Sequence, residues 1–411
     1  MVCLIPGVSY TKLVTYRYTT VITQFMNKEI HYKSPPLCDI VIFEKTGSQR
    51  IRNLIIPDLD VFIFDSSLDN IFISFQVIRY FIKSLSLFKI NYVKSYKNVL
   101  RGFGAHFRLI YIASVIRAIN PKIVITLIDN HTVFHWLCQY YVGAEFIAIQ
   151  NGTRTKGEIM KVKSKIRLQH YFCFGNYEKD LFSGLGYKIN NYYPVGSLLA
   201  GKYITKHNGK NKPTYDICIV SAWRGNIELS DDVKCSMSAM RKMDMMLSKY
   251  IEASKTNASI IMRSEPNSDD RKIAIYGDEK EYFKNIYPES VVLIDPDIKH
   301  RNIYSEMLKA VLIISMGSTA PREVFGIGKK ILYCDFTDSN LYNDYNDTIL
   351  FKENNYELLK QRINELLKMP GSEYEENTRE YASYMMNNDF DRPPHHVIRE
   401  MIDNYLCVSG S

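Results

Sequence analysis

Residues Val311–Asp335 read VLIISMGSTAPREVFGIGKKILYCD. An apolar run, Val311–Ser315, gives way to a Gly-Ser-Thr turn, a short helical stretch, a glycine break and a second apolar run, Lys330–Asp335. Apolar runs bounded by Gly and Pro predict buried parallel strands, and a helix between two of them makes a βαβ unit. Pro321 fits the first helical turn, where its missing N–H would have had no partner. The turn Gly317-Ser318-Thr319 is thus predicted to offer backbone N–H groups, two hydroxyls and the positive end of a helix dipole at a strand's C-terminal end. That combination suits a phosphate. The same residues also read as an ordinary strand–helix turn with a Ser/Thr cap.

Outward from this unit the pattern repeats. Upstream strands are predicted at Asp39–Glu44, Asp60–Asp65, Lys122–Ile128, Glu145–Gln150, Tyr171–Gly175 and Asn191–Gly196. Helical patterns lie between them at Asp69–Phe88, Phe103–Ile119, Thr132–Tyr141 and Glu178–Ser183. Residues 198–213, LLAGKYITKHNGKNKP, turn polar and basic and read as a linker. A second alternation follows, with strands at Tyr215–Ser221, Ala258–Arg263 and Ser290–Ile294 before the opening stretch, and helices at Asp232–Thr256, Asp278–Ile286 and Asn302–Lys309. The tail from Tyr356 to Tyr405 is helical, broken at Pro370 and Pro393-Pro394. Alternating strands and helices make the fold class α/β with doubly wound parallel sheets. The organisation reads as a Rossmann-like domain (1–197), the linker (198–213), a second Rossmann-like domain (214–375) and C-terminal helices (376–408) packing back on the first domain. Two such halves with returning helices describe the GT-B architecture.

The totals narrow the partners. Among 411 residues, 52 Lys and Arg against 44 Asp and Glu leave a formal charge of +8. A basic excess favours acidic ligands or an anionic surface, but its scattering, with no basic block interleaved with aromatics, argues against nucleic acid. None of the eight cysteines has C-x-x-C spacing, so neither a zinc site nor a redox pair is indicated and a reducing, cytoplasmic compartment fits. The opening MVCLIPG reads as a strand without the basic n-region of a signal peptide. Ile71–Ile90 is apolar but carries Gln76, Arg79, Lys83 and Lys89, too polar to span a bilayer and more consistent with an amphipathic helix.

Three polar groups fall at predicted strand ends of the second half: Ser221-Ala222-Trp223-Arg224-Gly225, Arg263-Ser264-Glu265-Pro266-Asn267 and Gly317-Ser318-Thr319. Open α/β sheets bind ligands at such ends. Transfer of a sugar from a nucleotide requires groups that neutralise a departing phosphate, for which Ser318, Thr319, Arg263 and Arg322 are suitable. It also requires a carboxylate as base or nucleophile. Asp231-Asp232 supplies one candidate, and equally reads as the acidic start of a helix. In the first half, Gln150-Asn151-Gly152-Thr153-Arg154 leads to Glu158, a candidate general base or a plain surface glutamate. Asp295-Pro296-Asp297 reads as a proline turn or a divalent-metal pair. Asp129, His131 and His135 read as loop or core residues.

These residues together resemble GT-B transferases that use CMP-activated acidic sugars, in which a His-Pro type motif and a Ser/Thr motif hold the cytidylate. Gly317-Ser318-Thr319 matches the second motif, and Glu265-Pro266 stands where the first would be. The chain is most similar to the retaining β-Kdo glycosyltransferases of lipopolysaccharide O-antigen assembly. That resemblance implies CMP-Kdo as donor, no metal cofactor, and a covalent Kdo adduct on an aspartate, carried here onto Asp232, with Glu158 assisting the acceptor. It places Ser318, Thr319 and Gly317 at the CMP phosphate, with Arg263, Glu265, Ser221, Trp223 and Arg224 near the nucleotide. Gln150, Asn151 and Arg154 fall on the acceptor side. The implied partners are CMP-Kdo, an oligosaccharide or lipid-linked glycan and other transferase modules; the basic net charge and the aromatic content, for their part, suit peripheral seating on the inner membrane's cytoplasmic face. The alternatives are an inverting CMP-sugar transferase, a CDP-glycerol-type phosphotransferase and a non-catalytic nucleotide-sugar-binding module.

Overall fold

The computed structural model describes residues 28–85, 99–160, 166–204, 212–223, 231–263, 270–297, 302–337 and 342–408. The strand-like Met1–Gly7 segment lies outside them, as do residues 205–211 of the predicted linker. In chain order the strands are β1 (Glu29–His31), β2 (Ile40–Phe43), β3 (Phe62–Phe64), β4 (Asn70–Phe72), β5 (Ile123–Thr126), β6 (Glu145–Ile149) and β7 (Arg167–Cys173). They continue with β8 (Lys188–Pro194), β9 (Tyr215–Val220), β10 (Ala258–Ile261), β11 (Val292–Ile294), β12 (Ala310–Ser315), β13 (Lys330–Cys334) and β14 (Leu350–Phe351).

Two six-stranded sheets form, ordered β3-β2-β5-β6-β7-β8 and β11-β10-β9-β12-β13-β14, beside a two-stranded β1-β4 ribbon. Every neighbouring pair of strands in the second sheet is parallel. Its central strands are buried on both faces. Leu312, Ile313 and Ile314 of β12 have no exposed surface, and each such side chain contributes about 1.5–3 kcal/mol of burial. This explains why the strands read as continuous apolar runs and not as alternating ones.

By compactness the chain divides into two units, residues 1–147, 167–169 and 402–411, and residues 148–166 and 170–401. Within the second unit the C-terminal helices come back onto the segment around β7 and β8. Asn387 donates its backbone N–H to Phe174 O at 2.7 Å and its side-chain amide to Pro194 O at 2.6 Å. Two glycines permit this approach. A Cβ on Gly175 would lie 2.2 Å from Tyr384 O, and Gly196, at φ +90°, leaves 2.6 Å to Asn387 O.

One predicted helix is redrawn. The pattern Asp69–Phe88 predicts continuous helix, yet Asn70–Phe72 is strand, paired in parallel with Glu29–His31. The helix begins at Phe75 and runs to Ser84, capped by Ser74, whose hydroxyl accepts from Val77 N at 3.3 Å. The partner strand lies some forty residues upstream, beyond the reach of a local periodicity. A short helix, Ala200–Tyr203, also occupies the start of the predicted linker.

Candidate functional site

In the second sheet β9 is flanked by β10 and β11 on one side and by β12, β13 and β14 on the other. The order therefore reverses between β9 and β12, the position at which parallel α/β sheets open a crevice at their strands' C-terminal ends. Ser315, the last residue of β12, ties this point together. Its hydroxyl donates to Val220 O at 2.9 Å and accepts from the N–H groups of Ser318 (3.2 Å) and Gly317 (3.4 Å). Tyr333 supports the turn from β13, donating to Ser318 O at 2.8 Å and accepting from Arg322 N at 3.1 Å.

The turn differs from its sequence reading in one respect. Its helix, Ala320–Phe325, has only six residues, and its first-turn donors are engaged. Ala320 N meets the Ser318 hydroxyl at 3.4 Å, while Arg322 N and Glu323 N meet Thr319 O at 3.0 and 3.3 Å. The N–H groups of Gly317, Ser318, Ala320, Arg322 and Glu323 are therefore already partnered, through bonds mostly at the long end of the normal range. The Ser318 and Thr319 hydroxyls are the side-chain groups that the turn offers a ligand.

The second predicted loop comes to this turn. Thr153 N donates to Thr319 Oγ1 at 3.0 Å, joining residues far apart in sequence. Gly152 fits closely, since a Cβ there would stand 3.4 Å from Thr319 Oγ1. Arg154 is buried and folds back on its own loop, donating to Thr153 O and Asn151 Oδ1, both at 2.9 Å. Gln150 anchors the loop from below. Its amide donates to Gly152 O and to Glu178 Oε1 at 2.9 Å, and its carbonyl accepts from Phe174 N at 2.8 Å.

Glu178 also explains Arg322, which the sequence offered as a phosphate ligand. Both side chains are fully buried, and Arg322 Nη1 lies 2.8 Å and Nη2 2.9 Å from the two Glu178 carboxylate oxygens. Arg322 donates further to Met385 O through Nε (3.1 Å) and Nη2. The neighbouring Glu178 carboxylate raises the Arg322 pKa against the cost of burial. Arg322 is thus committed to holding the fold together and is removed from the list of phosphate ligands.

The other strand ends of the sheet are joined by a residue that the sequence reading missed. Glu279, on the helix Asp270–Ile286, has no exposed surface. Its Oε1 accepts from the Ser221 hydroxyl at 2.5 Å and from Arg263 N at 2.9 Å. The Ser221 hydroxyl also accepts from Trp223 N at 3.1 Å, and Arg263 Nη1 donates to Trp223 O at 3.0 Å. The indole of Trp223 packs on Tyr282 at 4.5 Å between centroids. Tyr282 and Tyr287 both donate to Asp244 at 2.8 Å, and burial pushes the Asp244 carboxyl up to about 7. Nothing in the local sequence separates Glu279 from a surface carboxylate. Asp244 lies among the methionines of Met243–Met246, and that apolar setting is its only signal.

Asp231 and Asp232 are the first two residues of the helix Asp231–Ser254, which matches the acidic-start reading of their position. That helix follows β9 and precedes the parallel β10, so it starts on the sheet edge that carries Ser221 and Thr319. Glu158 lies on the short helix Lys156–Met160. The side chains of Asp232 and Glu158, and Arg224 and Glu265 altogether, lie outside what the structure describes. Asp295 and Asp297 follow β11, and among the described residues no His, Cys, Asp and Glu groups cluster as metal ligands do.

The first unit has a polar cluster of its own. Glu44, in a left-handed backbone conformation (φ 83°), lies 3.4 Å from His131 Nε2 and accepts from Ser66 N at 3.2 Å. Burial lowers the His131 pKa to about 4 and raises that of Glu44. His135 bonds to Asp129 O at 2.6 Å through its Nε2, a contact within the fold.

No family model matches the sequence, and no curated protein matches it. Solved structures do match its fold. MnaA from S. aureus, in complex with UDP, superposes with a TM-score of 0.50 at 13% identity over 92% of this chain and 97% of that one. The fold is GT-B. UDP-GlcNAc 2-epimerase from Neisseria meningitidis, bound to UDP-GlcNAc, gives 0.48 at 14% over 90% and 98% of the two chains. Sucrose-phosphate synthase from Thermosynechococcus elongatus gives 0.47 at 10% over 92% and 100%. At 13% identity the likeness to MnaA is one of fold alone.

Proposed function

We propose that the protein is a nucleotide-sugar-dependent glycosyltransferase that moves Kdo from CMP-β-Kdo to a sugar acceptor, such as a lipid-linked O-antigen glycan, with retention. One observation carries the placement of the donor. The Gly317–Thr319 turn and the Gln150–Arg154 loop meet through Thr153 N and Thr319 Oγ1 at the edge where the sheet order reverses. The identity of the donor rests on the sequence resemblance. In this reading the leaving phosphate is met by the Ser318 and Thr319 hydroxyls, and the Arg263 guanidinium adds a positive charge nearby.

The reaction proceeds in two displacements. A carboxylate oxygen of Asp232 attacks the anomeric carbon of Kdo, and the bond to CMP breaks with its electron pair leaving on the phosphate. An acceptor hydroxyl then attacks the same carbon, Glu158 takes its proton, and the bond to Asp232 breaks to restore the carboxylate. Two inversions give retention. An unperturbed aspartate, with a pKa of about 3.9, is ionised at neutral pH and needs no further activation as a nucleophile.

Intact-protein mass spectrometry after incubation with CMP-Kdo tests this. The account expects a Kdo-sized increment that disappears in Asp232→Ala. Normal turnover in Asp232→Ala would reject the nucleophile. Turnover with UDP-GlcNAc in place of CMP-Kdo would reject the donor.

A further inference from the structure

The helix Phe75–Ser84 in the first unit is apolar on two faces. Its inner face seats Val77 and Ser84 in the fold, and Phe81 stacks on Phe107 of the helix Val99–Ile119 at 6.2 Å. The outer face carries Phe75, Ile78, Ile82 and Leu85, which are 83, 47, 62 and 38% exposed. Their spacing of three and four residues lines them along one side of the helix over about 15 Å. The stripe continues past the helix start. Ile73 (41% exposed) donates its N–H to His31 O at 2.8 Å, and the Ser34 hydroxyl bonds to Ser74 at 3.1 Å. These two bonds bring Tyr32, 79% exposed, alongside. Scattered exposed apolar residues need no explanation, but a contiguous set does.

Charge identifies what the stripe faces. Between Phe75 and Leu85 there is no Asp or Glu, while Arg79 and Lys83 are exposed beside the apolar residues and Lys33 is exposed next to Tyr32. The nearest acidic groups on the ribbon, Glu29 and Asp69, are at the opposite ends of β1 and β4, where Glu29 N bonds to Asp69 O. An apolar row whose charged neighbours among the described residues of the helix are the cations Arg79 and Lys83 is the complement of a bilayer surface with anionic headgroups, in which apolar side chains enter the acyl boundary and basic ones stay with phosphate. A protein partner would also have to match the charge pattern across the stripe, and the stripe offers it no acidic group with which to pair.

We infer that the outer face of Phe75–Leu85, with Tyr32 and Ile73, seats the protein peripherally on an anionic phospholipid membrane. Co-sedimentation of the full chain with vesicles of phosphatidylglycerol and phosphatidylethanolamine in equal parts tests this, with phosphatidylcholine vesicles alongside. Binding to the anionic vesicles is expected, falling about 30-fold in Arg79→Gln/Lys83→Gln at about 1 kcal/mol per basic residue. It is expected to be lost in Phe75→Ser/Ile82→Ser. Both variants alter exposed positions of the first unit, whereas the Thr319 turn belongs to the second, so melting temperature and CMP binding serve as controls and stay unchanged. Equal pelleting of all three proteins would overturn the inference. So would wild-type protein that ignores the vesicles, whether it self-associates through this face or the face is covered by its own chain. The first alternative is read from a sedimentation-velocity shift abolished by Phe75→Ser/Ile82→Ser.

Discussion

Replacing Arg322 with Met separates an architectural role from a ligand-binding one. The guanidinium contacts both oxygens of Glu178 at 2.8 and 2.9 Å, and neither side chain is exposed. Met removes the charge but keeps much of the volume, leaving the Glu178 carboxylate buried with only the Gln150 amide and Gly175 N as donors. An uncompensated buried charge of this kind costs about 3–5 kcal/mol. In a unit of this size that lowers the melting temperature on the order of 10 °C. Glu178→Gln/Arg322→Met should recover part of the loss, because no charge is left behind while the glutamine can still accept from Gln150 or Gly175. Urea unfolding of the wild type, both single variants and the double variant gives the coupling energy directly. CMP binding measured well below the transition should be retained in Arg322→Met. A variant within 1 kcal/mol of wild type, or one as stable as wild type that no longer binds CMP, would refute the assignment of Arg322 to the fold.

Three further outcomes follow from the same contacts. Asp244 has a folded pKa near 7 against about 3.9 when unfolded. The stability it contributes is therefore full below about pH 4 and is lost as pH rises through 7, a difference of about 4 kcal/mol. Asp244→Asn should flatten that part of a chemical-denaturation profile, and an unchanged profile would exclude the assignment. His131 has the opposite sign: its lowered pKa, about 4, makes its contribution present above the unfolded value and lost on acidification from about pH 6.5. His131→Asn should therefore make the first unit less acid-sensitive, as read by hydrogen exchange in residues 40–44. Gly175→Ala places a Cβ 2.2 Å from Tyr384 O and should destabilise by several kcal/mol, on the order of other overpacked sites, whereas Gly184→Ala, where a Cβ meets nothing within 4 Å, should not.

The strand ends were legible in the sequence because β9, β10, β12 and β13 are buried on both faces and so write continuous apolar runs. Ser221, Arg263 and the Gly317–Thr319 turn follow directly from where those runs stop. What was not legible depends on partners distant in sequence. Asn70–Phe72 is strand only because Glu29–His31 lies beside it. Arg322 is consumed by a glutamate 144 residues upstream, and a lone arginine one turn after a phosphate-like motif carries no sign of that. Glu279 and Asp244 are buried carboxylates on helices whose exposed neighbours are also charged, so helical periodicity gives them no distinction. The contact of Thr153 with Thr319 is likewise a product of the fold, although each loop separately was recognisable from its glycine and its place after an apolar run.

Amide hydrogen exchange with and without CMP tests most directly whether the edge where β9 and β12 diverge holds the donor nucleotide. Slowed exchange is expected in residues 315–320 together with 152–154, since Thr319 Oγ1 joins the two segments, with weaker slowing in Ser318→Ala/Thr319→Val. Protection confined to other segments, with both of these unchanged at saturating CMP, would contradict a nucleotide at that edge.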